Sequence, residues 1–162
     1  CAAPCVERLQ ELGRTPLLFF SNSNILSADE FAKRLREVER LALATRTELV
    51  VDPYDHDPWL ARVRGMKEAP ERGPRCRECF RWALERTARQ AGTLPFATTL
   101  TVSPHKRSGE IFAAGTDLPG FEAIDFKKRD GFRRGLELSR RYAFYRQTFC
   151  GCEFSCGGTA TT

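Results

Sequence analysis

The sequence predicts an α/β fold with a mostly parallel sheet and helices on both faces. Short apolar runs suited to buried strands alternate with amphipathic helical segments along the chain. Distinctive polar and sulfur residues follow several of the strand-like runs, where open α/β sheets gather their reactive groups. The 162 residues, 41% of them hydrophobic, suffice for one core and are few for two. Residues 1–156 are therefore expected to form a single domain, with the terminal GGTATT (157–162) a disordered tail.

The elements follow in order. PCVERLQELG (4–13) reads as a short helix stopped by Gly13, and PLLFF (16–20) as a buried strand. SADEFAKRLREVERLALAT (27–45) reads as a helix with Ser27 as cap, Glu30 completing a capping box, and Phe31, Leu35, Val38, Leu41 and Ala42 on one face. TELVVD (47–52) is a second strand. DPWLARVRG (57–65) starts a helix with Asp57 as cap and Pro58 in its first turn. A loop with two prolines (66–75) leads to a helix over CFRWALERTARQAG (79–92). FATTLTV (96–102) and FEAIDF (121–126) are expected as strands, and DGFRRGLELSRRYAFY (130–145) as the last helix. The chain opens at Cys1 rather than Met, and a further strand is expected upstream. A mature lipoprotein also begins with Cys, but the other cysteines are spaced as in metal sites rather than as a disulfide framework.

No apolar run approaches the length of a membrane span, and a cytoplasmic protein is expected. Walker, GxGxxG and pyrophosphatase loops are absent, and a lone His56-Asp57 pair is too short a signal for a phosphohydrolase. The net charge of +5 is concentrated: between 127 and 146, eight basic residues face two acidic ones, which exceeds the whole-chain excess. Such a strip suits a phosphate backbone or, equally, a solvated helix face.

Seven cysteines stand at 1, 5, 76, 79, 150, 152 and 156. Six of them form three close pairs, Cys1/Cys5, Cys76/Cys79 and Cys150/Cys152, while Cys156 has no partner at motif spacing. A Cys-x-Cys pair closes a strained disulfide but easily directs two thiolates at one metal. Cys76 and Cys79 open a helix, where the dipole favours thiolate. Short spacings of this kind occur in zinc and in iron–sulfur sites alike. Six ligands exceed one tetrahedral site, so a cluster with a second metal, or a cluster with redox thiols, is expected. Three chain segments each supplying a pair suit an assembled active site better than a folding clip.

Other polar groups surround these pairs. NSN (22–24) follows the first strand and could read a base edge or form a polar turn. VDPYDHDPW (51–59) sets Asp52, Asp55 and Asp57 around His56. TTLTVSPHK (98–106) carries His105, and YRQTFCGC (145–152) joins Tyr145, Arg146 and the thiol pair, a mix suited to stacking on a base.

Together, CAAPC (1–5), FFSNSNI (19–25), DPYDHDPW (52–59), RCRECF (75–80), TTLTVSPHK (98–106), DFKKRDGF (125–132) and YRQTFCGCEFS (145–155) resemble the cobalamin-independent epoxyqueuosine reductases, in order and over almost the whole chain. The resemblance implies a Rossmann-like fold related to the adenine-nucleotide alpha hydrolases. It implies reduction of epoxyqueuosine to queuosine at the wobble position of tRNA, with a [4Fe-4S] cluster, a second iron or zinc beside it, and no cobalamin. Cys76, Cys79, Cys150 and Cys152 match the family's Cys-x2-Cys and Cys-Gly-Cys motifs, and Cys1 and Cys5 its N-terminal motif. Three departures stand out. Ala2 replaces the second of two adjacent cysteines, NSN replaces NPN, and the stretch from His105 to Asp125 is short.

The activity so implied needs two electrons, from an external donor such as a ferredoxin, and an acid for the departing oxygen. Asp52 and His105 are the candidate acids. Lys127, Lys128, Arg133, Arg134, Arg140 and Arg146 are expected to hold anticodon-loop phosphates, with Tyr145 stacking on a base. The rival readings are a zinc-stabilised, non-catalytic RNA-binding protein and a thiol oxidoreductase using Cys76 and Cys79.

Overall fold

The structure, a computed structural model, describes residues 2–155; Cys1, Cys156 and the 157–162 tail lie outside the described residues. Helix α1 (Ala2–Glu11) leads to strand β1 (Leu17–Phe20), helix α2 (Ala28–Thr45) and strand β2 (Glu48–Val51). Helices α3 (Asp57–Arg62), α4 (Pro74–Ala91), α5 (Ser108–Gly115) and α6 (Gly131–Arg141) follow. Short 3-10 turns lie at Arg64–Met66, Thr99–Val102 and Glu153–Ser155. This is an α/β chain. β1 and β2 pair in parallel, Leu17 opposite Glu48 through Phe20 opposite Val51, and α2 is the crossover that parallel neighbours require.

Helix α2 starts as its sequence predicts: Ser27 Oγ accepts the Glu30 amide at 3.2 Å. The second half of the expected box is diverted, because the Glu30 carboxylate takes Arg34 Nε at 2.8 Å. Helix α3 begins one residue earlier than the expected cap implies: Asp57 is its first residue, and His56 precedes it without a side-chain cap. Helix α4 starts at Pro74, five residues before the expected start, where a missing N–H costs nothing.

The two later strands are not formed. FATTLTV becomes the 3-10 turn Thr99–Val102, since the Thr98 hydroxyl accepts from the Leu100 amide and the single Thr101 hydroxyl proton is shared between the Thr98 and Ile124 carbonyls. Hydroxyls that capture nearby backbone groups compete with a ladder in this way. FEAIDF contributes a single parallel bridge, Phe121 opposite Phe96. Among the described residues the sheet therefore has two strands.

The core is fully buried at Val6, Ile25, Trp59, Val63, Leu84, Val102 and Ile111. One cluster (Ala3, Val6, Leu41, Leu138) joins α1, α2 and α6, and a second joins Cys5 to Val102 and Phe126. Among the described residues no helix is long and apolar enough to cross a membrane.

Candidate functional site

Cys76 and Cys79 lie in the first two turns of α4, three residues apart and so on one face. The Arg72 amide donates to Cys76 Sγ at 3.2 Å. Cys150 and Cys152 flank Gly151, whose φ of +118° is a conformation that side chains rarely adopt. The turn is gripped from α2. Arg34 Nη1 donates to the Cys150 carbonyl at 3.0 Å and Nη2 to the Phe149 carbonyl at 3.4 Å. The Leu26 amide donates to the Gly151 carbonyl at 2.9 Å. A Cβ on Gly151 would sit 2.9 Å from both terminal nitrogens of Arg34.

These two segments meet. Burial pushes the Cys79 thiol up to about 12, and negative charge at Cys152 and Cys76 adds to the rise. The helix N-terminus expected to favour thiolate is thus outweighed at Cys79. Cys150 donates to Cys152, which raises Cys150 and lowers Cys152 despite its burial. The ammonium of Lys106 opposes the rise at both Cys79 and Cys150. The Lys106 carbonyl is in turn held by Lys127 Nζ. Sequence reasoning missed Lys106 and Arg34; their only signal is a tertiary one.

Four thiols from two segments have the donor chemistry of an iron–sulfur or zinc site. As they stand, no group of three or more His, Cys, Asp or Glu among the described residues is arranged to hold a metal ion. Cys5 packs in the apolar cluster with Val102 and Phe126, where burial pushes its thiol up to about 12.

Asp52 stands directly after β2. Arg86 grips its carboxylate with two nitrogens, Nη2 at 2.7 Å, and Ser21 Oγ donates to it as well. Burial works to raise its pKa, but the bonds from Arg86 and Ser21 and the charges of Arg86 and Arg89 prevail and hold it below the usual range. His105 is exposed on the loop after Thr99–Val102, its amide donating to Ser103 Oγ at 3.3 Å.

The NSN loop serves as an anchor between loops. Ser23 is buried; its hydroxyl donates to the Pro53 carbonyl and accepts the Asp55 amide, both at 3.2 Å. His56 Nδ1 donates to the Ser23 carbonyl at 2.7 Å, and Nε2 lies 3.2 Å from Glu153 Oε1. His56 and Glu153 thus join the aspartate-rich loop to the Cys-Gly-Cys segment.

The basic strip divides by partner. Arg134 bridges Glu7 of α1 at 2.7 Å and Glu137 at 3.1 Å, and Arg133 pairs with Asp130 at 2.9 Å. Tyr145 donates to Glu30 at 3.3 Å. Lys128, Arg140 and Arg146 are exposed, with no internal partner among the described residues.

The sequence profile of the family described as Epoxyqueuosine reductase QueH matches residues 1–157. Relatives described as Epoxyqueuosine reductase QueH come from Streptococcus pyogenes, 34% identical over 96% of this chain and 68% of the relative, and from Acinetobacter baylyi, 34% identical over 96% and 77%. A third, from Thermotoga maritima, is 31% identical over 96% of this chain and 86% of its own length. With the paired thiols converging as they do, the chain belongs to the QueH family of epoxyqueuosine reductases.

Proposed function

We propose that this chain, an oxidoreductase of the QueH family, reduces epoxyqueuosine to queuosine in tRNA at a site built from Cys76, Cys79, Cys150 and Cys152. The observation that carries the reading is the family match over residues 1–157, and the charge interactions among the helix α4 thiols, the Cys-Gly-Cys turn and Lys106 support it. In the reaction both C–O bonds of the epoxide break, a C=C bond forms, and the oxygen leaves as water. Two electrons and two protons balance the step. The electrons come from an external donor such as a ferredoxin.

The four thiols would hold a [4Fe-4S] cluster, which when bound supplies one-electron transfer next to the substrate. Cys1 and Cys5 remain as donors for a second iron or zinc. The small parallel sheet with its α2 crossover is read as the part of a Rossmann-like, adenine-nucleotide alpha hydrolase-like fold that carries the site.

Of the two candidate acids, Asp52 and His105, the proton is assigned to His105. Asp52, held ionised by Arg86, fixes the end of β2 and is a poor proton donor. His105, on an exposed loop next to Lys106, is the group assigned to protonate the departing oxygen. Lys127, Lys128, Arg133, Arg134, Arg140, Tyr145 and Arg146 form the RNA-facing strip, and the cations without internal partners carry most of the affinity.

The test is single-turnover reduction of epoxyqueuosine-containing tRNA by anaerobically purified protein, read by mass spectrometry of the digested nucleosides. Loss of one oxygen atom with the native chain, and none with Cys79→Ser, is expected. Equal conversion by Cys79→Ser would remove the thiol site from the reaction.

A further inference from the structure

A cavity of about 280 Å³ opens beside the Cys-Gly-Cys segment. Asp57, Leu60, Arg64 and Lys67 line it on the α3 side and Phe154 on the other. The two walls are stitched together. His56, adjacent to Asp57, meets Glu153, adjacent to Phe154, at 3.2 Å. Arg75, 4% exposed, lies over the Phe154 ring at 4.4 Å. The two N–H groups of its Nη1 are shared among the carbonyls of Met66, Lys67 and Ala69 at 2.9, 3.0 and 2.7 Å. The aromatic wall is therefore held in place by Arg75, and Cys152 stands two residues from it. Neither Arg64 nor Lys67 has an ion-pair partner among the described residues.

These groups suit one nucleotide unit. An aromatic ring with a guanidinium over one face has its other face for stacking, and two unpaired cations offer phosphate contacts. Asp57 adds selectivity. An ionised carboxylate only accepts hydrogen bonds, and can take two donors at once. Among the RNA bases, guanine alone presents two adjacent donors on its pairing edge, N1–H and the N2 amino group. The base of epoxyqueuosine keeps that edge.

We propose that this cavity receives the guanine-type nucleotide of the RNA substrate. Phe154 stacks on the base, Asp57 accepts from N1–H and the N2 amino group, and Arg64 and Lys67 contact its phosphates. The inference rests on the reading that the chain acts on tRNA, and it assigns the residues that select the base.

The experiment measures the affinity of the full, anaerobically purified protein for two anticodon-arm hairpins, carrying guanosine or inosine at the wobble position. Inosine lacks only the N2 amino group. The native chain is expected to favour guanosine by roughly tenfold, the scale of a good side-chain-to-base pair. Asp57→Asn should bring the ratio close to one. Leu60→Phe, which narrows the cavity without altering its charges, should weaken both hairpins. Preference for guanosine that survives in Asp57→Asn, or hairpin binding untouched by Leu60→Phe, would overturn the assignment while leaving RNA binding in place. Failure of the native chain to bind either hairpin would overturn the RNA reading and this assignment together.

Discussion

Arg34 of α2 donates to the carbonyl of Cys150 at 3.0 Å while its Nε is held by Glu30 at 2.8 Å. A residue more than a hundred positions away in sequence thus sets the path of the Cys-Gly-Cys turn. Arg34→Gln should leave α2 folded, since its cap at Ser27 is independent, and should lower the iron retained per chain. Gly151→Ala should be more severe, because φ is +118° and the new Cβ would lie 2.9 Å from the guanidinium. A destabilisation of about 1–3 kcal/mol in denaturant unfolding is expected, the range for strained backbone positions.

The Asp52–Arg86 pair predicts a pH dependence with a definite sign. The folded carboxylate has its pKa lowered from 3.8, so the native state binds a proton there less readily than the unfolded chain. Its contribution is present in full above the unfolded value and is lost as pH falls through the folded one. Asp52→Asn should cost on the order of 2 kcal/mol at neutral pH, typical of hydrogen bonds to a charged group. The gap between variant and native chain should close in acid. Urea unfolding at a series of pH values measures it, and a gap that widens in acid would be the wrong sign.

How legible was all this in the sequence? The helices were readable because their signals are local: Ser27 before a periodic apolar face, Pro58 in the first turn of α3, Gly92 closing α4. The 96–102 segment misled because its threonines suit strands by propensity, whereas here their hydroxyls bond to nearby carbonyls and amides. The paired cysteines announced themselves by spacing, and the α4 pair and the Cys-Gly-Cys pair act on one another electrostatically, although they are not arranged as a metal site among the described residues. What spacing could not reveal is that Cys5 packs with Val102 and Phe126, or that Arg134 faces Glu7. Those depend on which helices meet, and no local pattern carries that information.

The strip on and around α6 should divide in RNA binding accordingly. Replacing Lys128, Arg140 and Arg146 by Ala should weaken tRNA binding and flatten its salt dependence, by somewhat under one unit of slope for every phosphate no longer neutralised. Arg134→Ala should mainly lower stability, because it removes the bridge from α6 to α1. Affinity measured across a salt series, beside thermal unfolding, separates the two effects.

His105 should matter to turnover and not to assembly. His105→Gln is expected to lower the rate of epoxide reduction by about 10²–10⁴, the usual contribution of a general acid, with iron content and tRNA affinity retained. A rate equal to that of the native chain would assign the proton to another group.

The most direct measurement is iron and acid-labile sulfide per chain, with an electronic spectrum, on protein purified without oxygen, for the native sequence and for Cys79→Ser and Cys152→Ser. About four irons per chain with matching sulfide, falling in both variants, is the result predicted for a cluster on the converging thiols. Zinc alone, or no metal after anaerobic reconstitution, would contradict it.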